Sequence, residues 1–317
     1  MSLSLADTSA RHRPLALAGA VLLLGGLLAA SLAGAGPFLS SVAYQLPEFG
    51  LLVLAMALPL IAGGINLAIL AIANLSAVVA ALAFGVLSSS AWLAPLPLLA
   101  GLATGGLAGA LIGLLVAYLR IAPIIASLGA LLVYTGVGIL VTNGAAVTGL
   151  PAFVPAFAGY TVAGIPLIAV VFLVAAVLVG VLLGRTPFGR YLSAVGYNET
   201  ATAYSGIDTA RIHLVVYALS GLLSALAGLI MLARFNSARM GYADSYLLTT
   251  LLAAVLGGVD PNGGRGRLVP LLAAIVLLQV TASGLNLAGA SQHLSAVAWG
   301  AVARQAGLRP AAIMTTS

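Results

Sequence analysis

The sequence predicts an all-α protein that crosses a membrane about ten times, and three observations lead to this fold class. Of the 317 residues, 62% are hydrophobic and only 6% are charged, whereas soluble domains have about 25% charged residues. The mean hydropathy is +1.20. The hydrophobic residues form runs close to the ~20 residues that a helix needs to cross the hydrocarbon. We therefore expect one polytopic transmembrane domain over residues 1–317, with some helices short or broken.

Ten apolar runs are candidates for the membrane spans. The first run follows two arginines and exceeds the 7–15 residues of a signal-peptide core, so we interpret it as a retained span. Glycine pairs interrupt the pattern at 63–64 and 257–258, and broken backbone at membrane depth is tolerated only inside protein or beside water. The runs are 15–35, 49–63, 66–87, 95–118, 122–142, 164–184, 212–233, 246–258, 267–288 and, weakest of all, 293–308.

The arginines predict the orientation of these spans. All twelve basic residues are arginines, and cytoplasmic loops carry an excess of positive charge. If residues 49–87 cross twice and the N-terminus is cytoplasmic, only Arg234 and Arg239 lie outside. A single crossing would invert every later loop and place Arg120, Arg185, Arg190 and Arg211 outside. We therefore predict two crossings, with both termini and the polar segment at 185–211 in the cytoplasm.

The polar segment (residues 185–211, RTPFGRYLSAVGYNETATAYSGIDTAR) is the longest polar interruption between apolar runs. Asn198 is suited to cap a short helix, and Glu199 places a negative charge on its first turn. Gly206 supplies a left-handed residue that ends this helix, and Asp208 is suited to cap the next one. A capped helix between two spans offers a surface on which a cytoplasmic partner could act; a mere connector is the alternative.

Gly101, Gly105, Gly109 and Gly113 recur at every fourth position of the span 95–118 and so form one stripe. Such a stripe lets two helix backbones approach closely. We interpret it as a packing surface, since nothing in the sequence supports a permeation path there.

The distribution of reactive side chains argues against several functions. No carboxylate is predicted in mid-membrane, which argues against proton coupling; sodium coupling through carbonyls of broken helices stays open. The chain has no Cys, which excludes disulfides and thiolate metal sites, and it has no H-E-x-x-H motif. We expect a transport subunit and no enzyme, metal or cofactor. The acidic residues, all predicted in loops or at span ends, are Asp7, Glu48, Glu199, Asp208, Asp244 and Asp260.

The glycine loop (residues 257–267, GGVDPNGGRGR) invites comparison with a phosphate-binding loop. A P-loop requires a lysine, and this chain has none. We interpret the glycine loop as a tight cytoplasmic turn in which Arg265 and Arg267 fix the orientation. Because the arginines stand singly between apolar runs, they do not indicate nucleic-acid binding.

Six segments, in order and over roughly residues 45–295, resemble the permease subunit of ribose-type (simple sugar) ABC importers. They are GGINLAILAIANLSAVVAA (63–81), GLLVAYLRIAPIIASLGALLVYTGVGILVTNG (113–144), GRYLSAVGYNETATAYSGID (189–208), LSGLLSALAGLIMLARFNSA (219–238), AAVLGGVDPNGGRGRLV (253–269) and SGLNLAG (283–289).

The resemblance implies an inner-membrane permease of a bacterium that pairs with a second permease subunit as a homodimer or heterodimer. It also implies two cytoplasmic ABC ATPase subunits and an extracytoplasmic solute-binding protein that delivers a pentose, hexose or related solute. The polar segment would then be the coupling loop that docks into the ATPase. A branched-chain amino acid or nucleoside permease is the alternative within the superfamily, and an ion-coupled secondary transporter is the alternative outside it.

Site residues follow from the resemblance position by position. Glu199 and Gly206 match the family's E-A-A…S-G-I pattern, and Gly196 and Asn198 match the G-x-N before it. The polar segment has E-T-A-T-A instead of E-A-A-R, so this pattern lacks the basic residue of the family and Glu199 has fewer internal partners. The second cytoplasmic loop of the family corresponds to Gly257, Gly258, Gly263, Gly264 and Gly266.

A translocation path would need polar groups inside the spans. Hydroxyls and amides can exchange weak hydrogen bonds with a polyhydroxylated solute, but they also link helices, for about 0.6–2 kcal/mol each. We favour the linking role for any single one of them. Asn66 also departs from the family, which more often has Asp there. The candidates are Asn66, Asn74, Ser127, Thr135 and Asn286.

Overall fold

The computed structural model describes residues 35–87, 93, 95–162 and 165–287. The predicted spans 15–35 and 293–308 therefore lie outside the described residues, apart from residue 35. The elements are α1 (Ala35–Ile61), α2 (Ile69–Leu87), α3 (Pro95–Ala117), α4 (Pro123–Thr142), α5 (Phe153–Gly159), β1 (Thr161–Val162), β2 (Ile165–Pro166), α6 (Leu167–Arg185), α7 (Pro187–Tyr197), α8 (Glu199–Tyr204), α9 (Thr209–Phe235), a 3₁₀ turn (Asp244–Tyr246), α10 (Leu247–Leu256) and α11 (Leu268–Leu287).

Seven helices of the described chain, namely α1, α2, α3, α4, α6, α9 and α11, are long and apolar enough to cross a membrane. This confirms an all-α polytopic fold. The predicted span 246–258 is shorter than expected, because α10 has only ten residues. At 1.5 Å per residue it rises about 15 Å, roughly half of the ~30 Å hydrocarbon thickness. Ten full crossings are therefore not confirmed.

The course of α1 corrects one prediction. The span was expected to begin at residue 49, but the helix starts at Ala35 and includes Pro47 and Glu48. Glu48 is 0% exposed, so the prediction that every acidic residue lies in a loop or at a span end is wrong. The cause is a partner distant in sequence: Arg234 of α9 forms an ion pair with Glu48. Local hydropathy cannot reveal such a pair.

Contacts divide the chain into two compact units, residues 43–272 and the two chain ends, up to residue 42 and from 273 on. The predicted single domain stays a prediction. In the smaller unit, the Gln279 side chain donates a hydrogen bond of 3.1 Å to Ser283 Oγ. The site described below lies within residues 43–272.

The core of the larger unit is the packing of α9 against α3 and α2. All four glycines of the predicted stripe on α3 are buried. A methyl group on Gly109 would overlap the carbonyl oxygen of Tyr217, and one on Gly105 would overlap Ala225. Conversely, a methyl on Gly221 of α9 would overlap the Gly105 carbonyl. The glycines allow the two backbones to touch, which confirms the predicted packing role.

The connections of the larger unit lie at two opposite ends of the helix bundle. At one end the turn after α1, the polar segment and the glycine loop meet, with Gly264 N donating to Ile61 O at 2.8 Å. At the other end Val147 and Ala238 exchange two backbone hydrogen bonds of 2.8 and 3.0 Å. Because consecutive helices connect at these two ends in turn, Arg234 and Arg239 lie at the end opposite the polar segment. Two crossings within residues 49–87 predict this placement.

Candidate functional site

The polar segment folds into two short helices, α7 and α8. α7 is amphipathic: Gly189, Leu192 and Val195 are buried, and they share one face at helical spacing. α8 is more exposed, with the Tyr204 side chain 90% exposed. A shallow depression of about 360 Å³ lies along both helices, lined by Tyr197, Asn198, Ala201 and Ser205 among others. The polar segment is therefore anchored on one face and open on the other.

The predicted helix ends of the polar segment are confirmed. Asn198 Oδ1 accepts a hydrogen bond of 2.9 Å from the backbone N–H of Ala201, which caps α8. Gly206 has φ +82°, a left-handed conformation that costs a residue with a Cβ far more than glycine. Asp208 Oδ1 accepts a bond of 3.1 Å from Arg211 N, so α9 begins three residues earlier than the predicted Ile212. These caps fix the direction of both helices.

The glycine junction, formed by Gly63, Gly196, Gly263 and Gly264, brings together three segments that are distant in the sequence. A methyl on Gly196 would overlap both the Ile61 carbonyl oxygen and Gly264 N. A methyl on Gly263 would lie 2.7 Å from the Gly63 Cα, closer than Cβ atoms come in real proteins. The turn after α1, the polar segment and the glycine loop therefore touch through backbone atoms.

The glycine loop is a tight turn, as predicted. Asp260 N donates to Arg265 O and Gly263 N donates to Asp260 O, both at 2.9 Å. The exposed Arg265 Nε donates to Tyr197 Oη at 2.5 Å, and this hydrogen bond raises the pKa of Arg265. The five predicted loop glycines differ in setting: Gly257, Gly263 and Gly264 are buried, Gly266 is half-buried and Gly258 is exposed.

Glu199 has a partner that sequence reasoning missed. Its Oε1 lies 3.5 Å from His213 Nε2, in the first turns of α9; the histidine side chain is 8% exposed and the glutamate side chain 58%. The E-T-A-T-A sequence lacks a basic residue, but the next helix provides one. Helical spacing places His213, Tyr217 and Ser220 on one face of α9, but it does not pair that face with Glu199.

An open cleft of about 830 Å³ lies beside this pair. It is bounded by α8, the beginning of α9, the turn after α1 and the turn between α3 and α4. Its charged and titratable lining residues are Arg120, Glu199, Tyr204 and His213. Of the described chain, Arg120 is one of three non-glycine residues with positive φ, at 52°.

Three of the five candidate path residues form hydrogen bonds within the protein. Asn66 is 0% exposed; its side chain donates to Ser220 Oγ at 3.1 Å and accepts from Ala68 N at 3.1 Å. Asn74 Oδ1 accepts from Ala243 N at 3.2 Å, and Ser127 Oγ donates to Ile65 O at 3.0 Å.

These contacts favour a linking role for Asn66, Asn74 and Ser127. Thr135 is half-buried on α4, and Asn286 is exposed on α11. Their part in a translocation path stays a prediction.

Comparison with known proteins relates this architecture to a transport family. Residues 38–303 match the family described as "Branched-chain amino acid transport system / permease component". The match includes the whole polar segment and the glycine loop. No solved structure matches the chain.

Curated relatives match over most of their length. The chain is 38% identical over 257 residues to the ribose import permease protein RbsC of Bacillus subtilis, covering 80% of this chain and 78% of the relative. It is 35% identical over 263 residues to the ribose import permease protein RbsC of Escherichia coli K12, covering 80% and 79%. It is 30% identical over 259 residues to an Escherichia coli protein called autoinducer 2 import system permease protein LsrD, covering 80% and 77%.

Proposed function

The chain belongs to the family of branched-chain amino acid transport system permease components, and from this premise we propose that it is the membrane-spanning permease subunit of an ATP-driven importer. Its solute is a pentose, a hexose or a related small polar molecule. The observation that carries this proposal is the 38% identity to a ribose import permease over 80% of the chain. The family relationship and the seven apolar helices make it a multi-pass protein of the bacterial inner membrane.

The exposed surface of the polar segment supports a docking role toward an ATPase. Asn198 caps the start of α8 and Gly206 ends it, while Asp208 caps the start of α9. α8 presents Glu199 and Tyr204 to solvent. A helix held at both ends transmits displacement better than a loose loop. Force generated by two ABC ATPase subunits would enter here.

The distribution of charge supports a cytoplasmic location for the polar segment. Of the arginines in residues 43–272, six lie at the end of the bundle that holds the polar segment and two lie at the other. The positive-inside rule assigns the arginine-rich end to the cytoplasm. The opposite end, with the 143–166 connection, then faces the solute-binding protein. Both termini would be cytoplasmic, and a second permease subunit completes the membrane pathway.

A branched-chain amino acid is the second candidate solute. The description of the matched family favours it, whereas the names of the ribose import relatives favour a sugar. Binding measurements on the solute-binding protein encoded beside this chain discriminate the two. Ribose binding with no leucine binding supports the first proposal, and the reverse supports the second.

Reconstituted uptake tests the mechanism. The permease, its ATPase and the loaded binding protein are placed in proteoliposomes, and uptake of labelled ribose is followed with ATP inside. We expect uptake to require ATP and the ATPase subunit and to persist when ionophores collapse the ion gradients. Uptake by the permease alone, or uptake abolished by ionophores, would contradict an ATP-driven importer and support a secondary transporter.

A further inference from the structure

His213 is the group in the transmembrane helix α9 that lies against the polar segment. It is nearly fully buried, whereas Glu199, its partner at 3.5 Å, is 58% exposed. Glu199 can therefore meet an ATPase on its open side while it faces His213 on the other. Asp208 caps α9 between them in the chain, so the pair joins the end of the docking surface to the beginning of a membrane span.

His213 is buried and has few polar partners, so its contact with Glu199 is important. Its Nδ1 has no hydrogen-bond partner among the described residues, so Nε2 is the ring nitrogen that faces a charged partner. A buried polar group that loses its only partner is costly. Displacement of Glu199 by an ATPase therefore exchanges this contact of His213 for the open cleft beside it, unless the start of α9 moves with α8.

The same face of α9 also lies against the break between α1 and α2, where the Tyr217 hydroxyl has no hydrogen-bond partner among the described residues. The Tyr217 hydroxyl lies 2.5 Å from where a methyl on Gly64 would be. Ser220 Oγ accepts from Asn66 at 3.1 Å and donates to Ala55 O at 2.7 Å. One face of α9, which carries His213, Tyr217 and Ser220 at spacings of four and three residues, thus lies against both the polar segment and the non-helical backbone at residues 62–68.

We propose that His213 is a positioning residue that transmits movement of the polar segment to α9 through its contact with Glu199. This inference rests on the proposed function. In this role His213 contacts neither ATP nor the solute. The contact of His213 with Glu199 makes ATP hydrolysis by the ATPase subunits respond to the loaded binding protein.

Three variants in the reconstituted transporter test this proposal. His213→Leu removes the contact, His213→Gln keeps an amide N–H near the position of Nε2, and Ser224→Ala is the matched control. Ser224 lies on the same face of α9, but among the described residues its hydroxyl bonds only to the local Ser220 carbonyl, at 2.8 Å. The measurements are the affinity for the ATPase and the ratio of ATP hydrolysis with and without loaded binding protein.

We expect His213→Leu to lower this stimulation ratio at least fivefold while the affinity for the ATPase changes less than twofold. His213→Gln should retain at least half of the ratio, and Ser224→Ala should match the wild type. In the Glu199→Ala background, His213→Leu should lower the ratio no further. Normal stimulation in His213→Leu, or an equal loss in His213→Gln, would overturn the proposal.

If His213→Leu does not reach the membrane, His213→Asn replaces it. Asn places its amide near Nδ1, away from Glu199, so stimulation should fall in His213→Asn and hold in His213→Gln. Equal values in both variants would overturn the inference. Wild-type uptake that is independent of ATP would instead contradict the proposed function, so the two failures are distinguishable.

Discussion

The Glu48 carboxylate of α1 and the Arg234 guanidinium of α9 form a buried ion pair, with Oε1 and Nη1 2.5 Å apart. The Tyr246 hydroxyl donates to the same carboxylate oxygen at 2.8 Å, and Arg234 also donates to Tyr44 O at 3.4 Å. These contacts join α1, α9 and the 3₁₀ turn before α10 at the end of the bundle opposite the polar segment. They explain how an acidic residue is accommodated within a membrane span.

Removal of either member of this pair should destabilise the protein strongly. Glu48→Ala leaves Arg234 without its counter-charge, and loss of one member of a buried pair costs about 3–5 kcal/mol. We expect a clear fall in the thermal midpoint of the detergent-purified protein. Arg234→Ala should have a comparable effect.

A double-mutant cycle controls this prediction. Because each single variant leaves one charge unpaired, the double variant Glu48→Ala/Arg234→Ala should be more stable than the sum of the two effects predicts. Additive losses would show that the two side chains do not stabilise one another.

The glycine stripe on α3 should tolerate no side chain. Gly109→Ala places a methyl on the Tyr217 carbonyl oxygen, and overpacking of a tight interface costs about 1–3 kcal/mol. Gly129→Ala on α4 is the matched control, because nothing in the described chain outside the local helix backbone lies within 4 Å of the added methyl. Size-exclusion profiles and thermal midpoints should show a loss for Gly109→Ala alone. Equal stability of the two variants would contradict tight α3–α9 packing.

The docking role of the polar segment predicts a defect in assembly. Glu199→Ala removes an exposed charge, and Gly206→Leu puts a branched side chain in a left-handed conformation at the end of α8. Each should weaken ATPase association about tenfold, equivalent to ~1.4 kcal/mol, or reduce stimulated ATP hydrolysis, and membrane insertion should be intact. Surface plasmon resonance with the purified ATPase measures this. Wild-type affinity and stimulation in both variants would count against docking at α8.

Asn66 stands where the family more often has Asp, and the contacts of Asn66 predict that Asn66→Asp changes the stability of the protein. Ser220 already donates its proton to Ala55 O at 2.7 Å, so an aspartate carboxylate at this position would replace the amide donor by a second acceptor. An unsatisfied buried acceptor costs about 1–3 kcal/mol, and we expect Asn66→Asp to lower the thermal midpoint. Asn66→Gln, which keeps the amide, separates this effect from a change of size. No loss in Asn66→Asp would show that Ser220 can reorient.

The sequence predicted what depends on local pattern. Hydropathy located the apolar helices, and capping chemistry located the ends of α8 through Asn198 and Gly206 and the cap of α9 through Asp208. The stripe on α3 followed from helical periodicity. Each of these signals lies within a few residues, so no knowledge of tertiary contacts was needed.

Contacts between distant segments could not be predicted from the sequence. Glu48 lowered the local hydropathy and led to a late start of α1, because its partner Arg234 lies 186 residues away. The convergence of Gly63, Gly196 and Gly264 also joins positions that share no periodicity. The E-T-A-T-A pattern indicates few partners for Glu199 because it covers only the loop, whereas His213 lies on the next helix.

The glycine junction has a mechanical consequence. Its segments touch through main-chain atoms, so no rotamer change can absorb a shift of one relative to the others. The turn after α1, the polar segment and the glycine loop should move as one rigid block during the transport cycle. Spin labels on these three parts would then keep constant separations while their distances to α4 change.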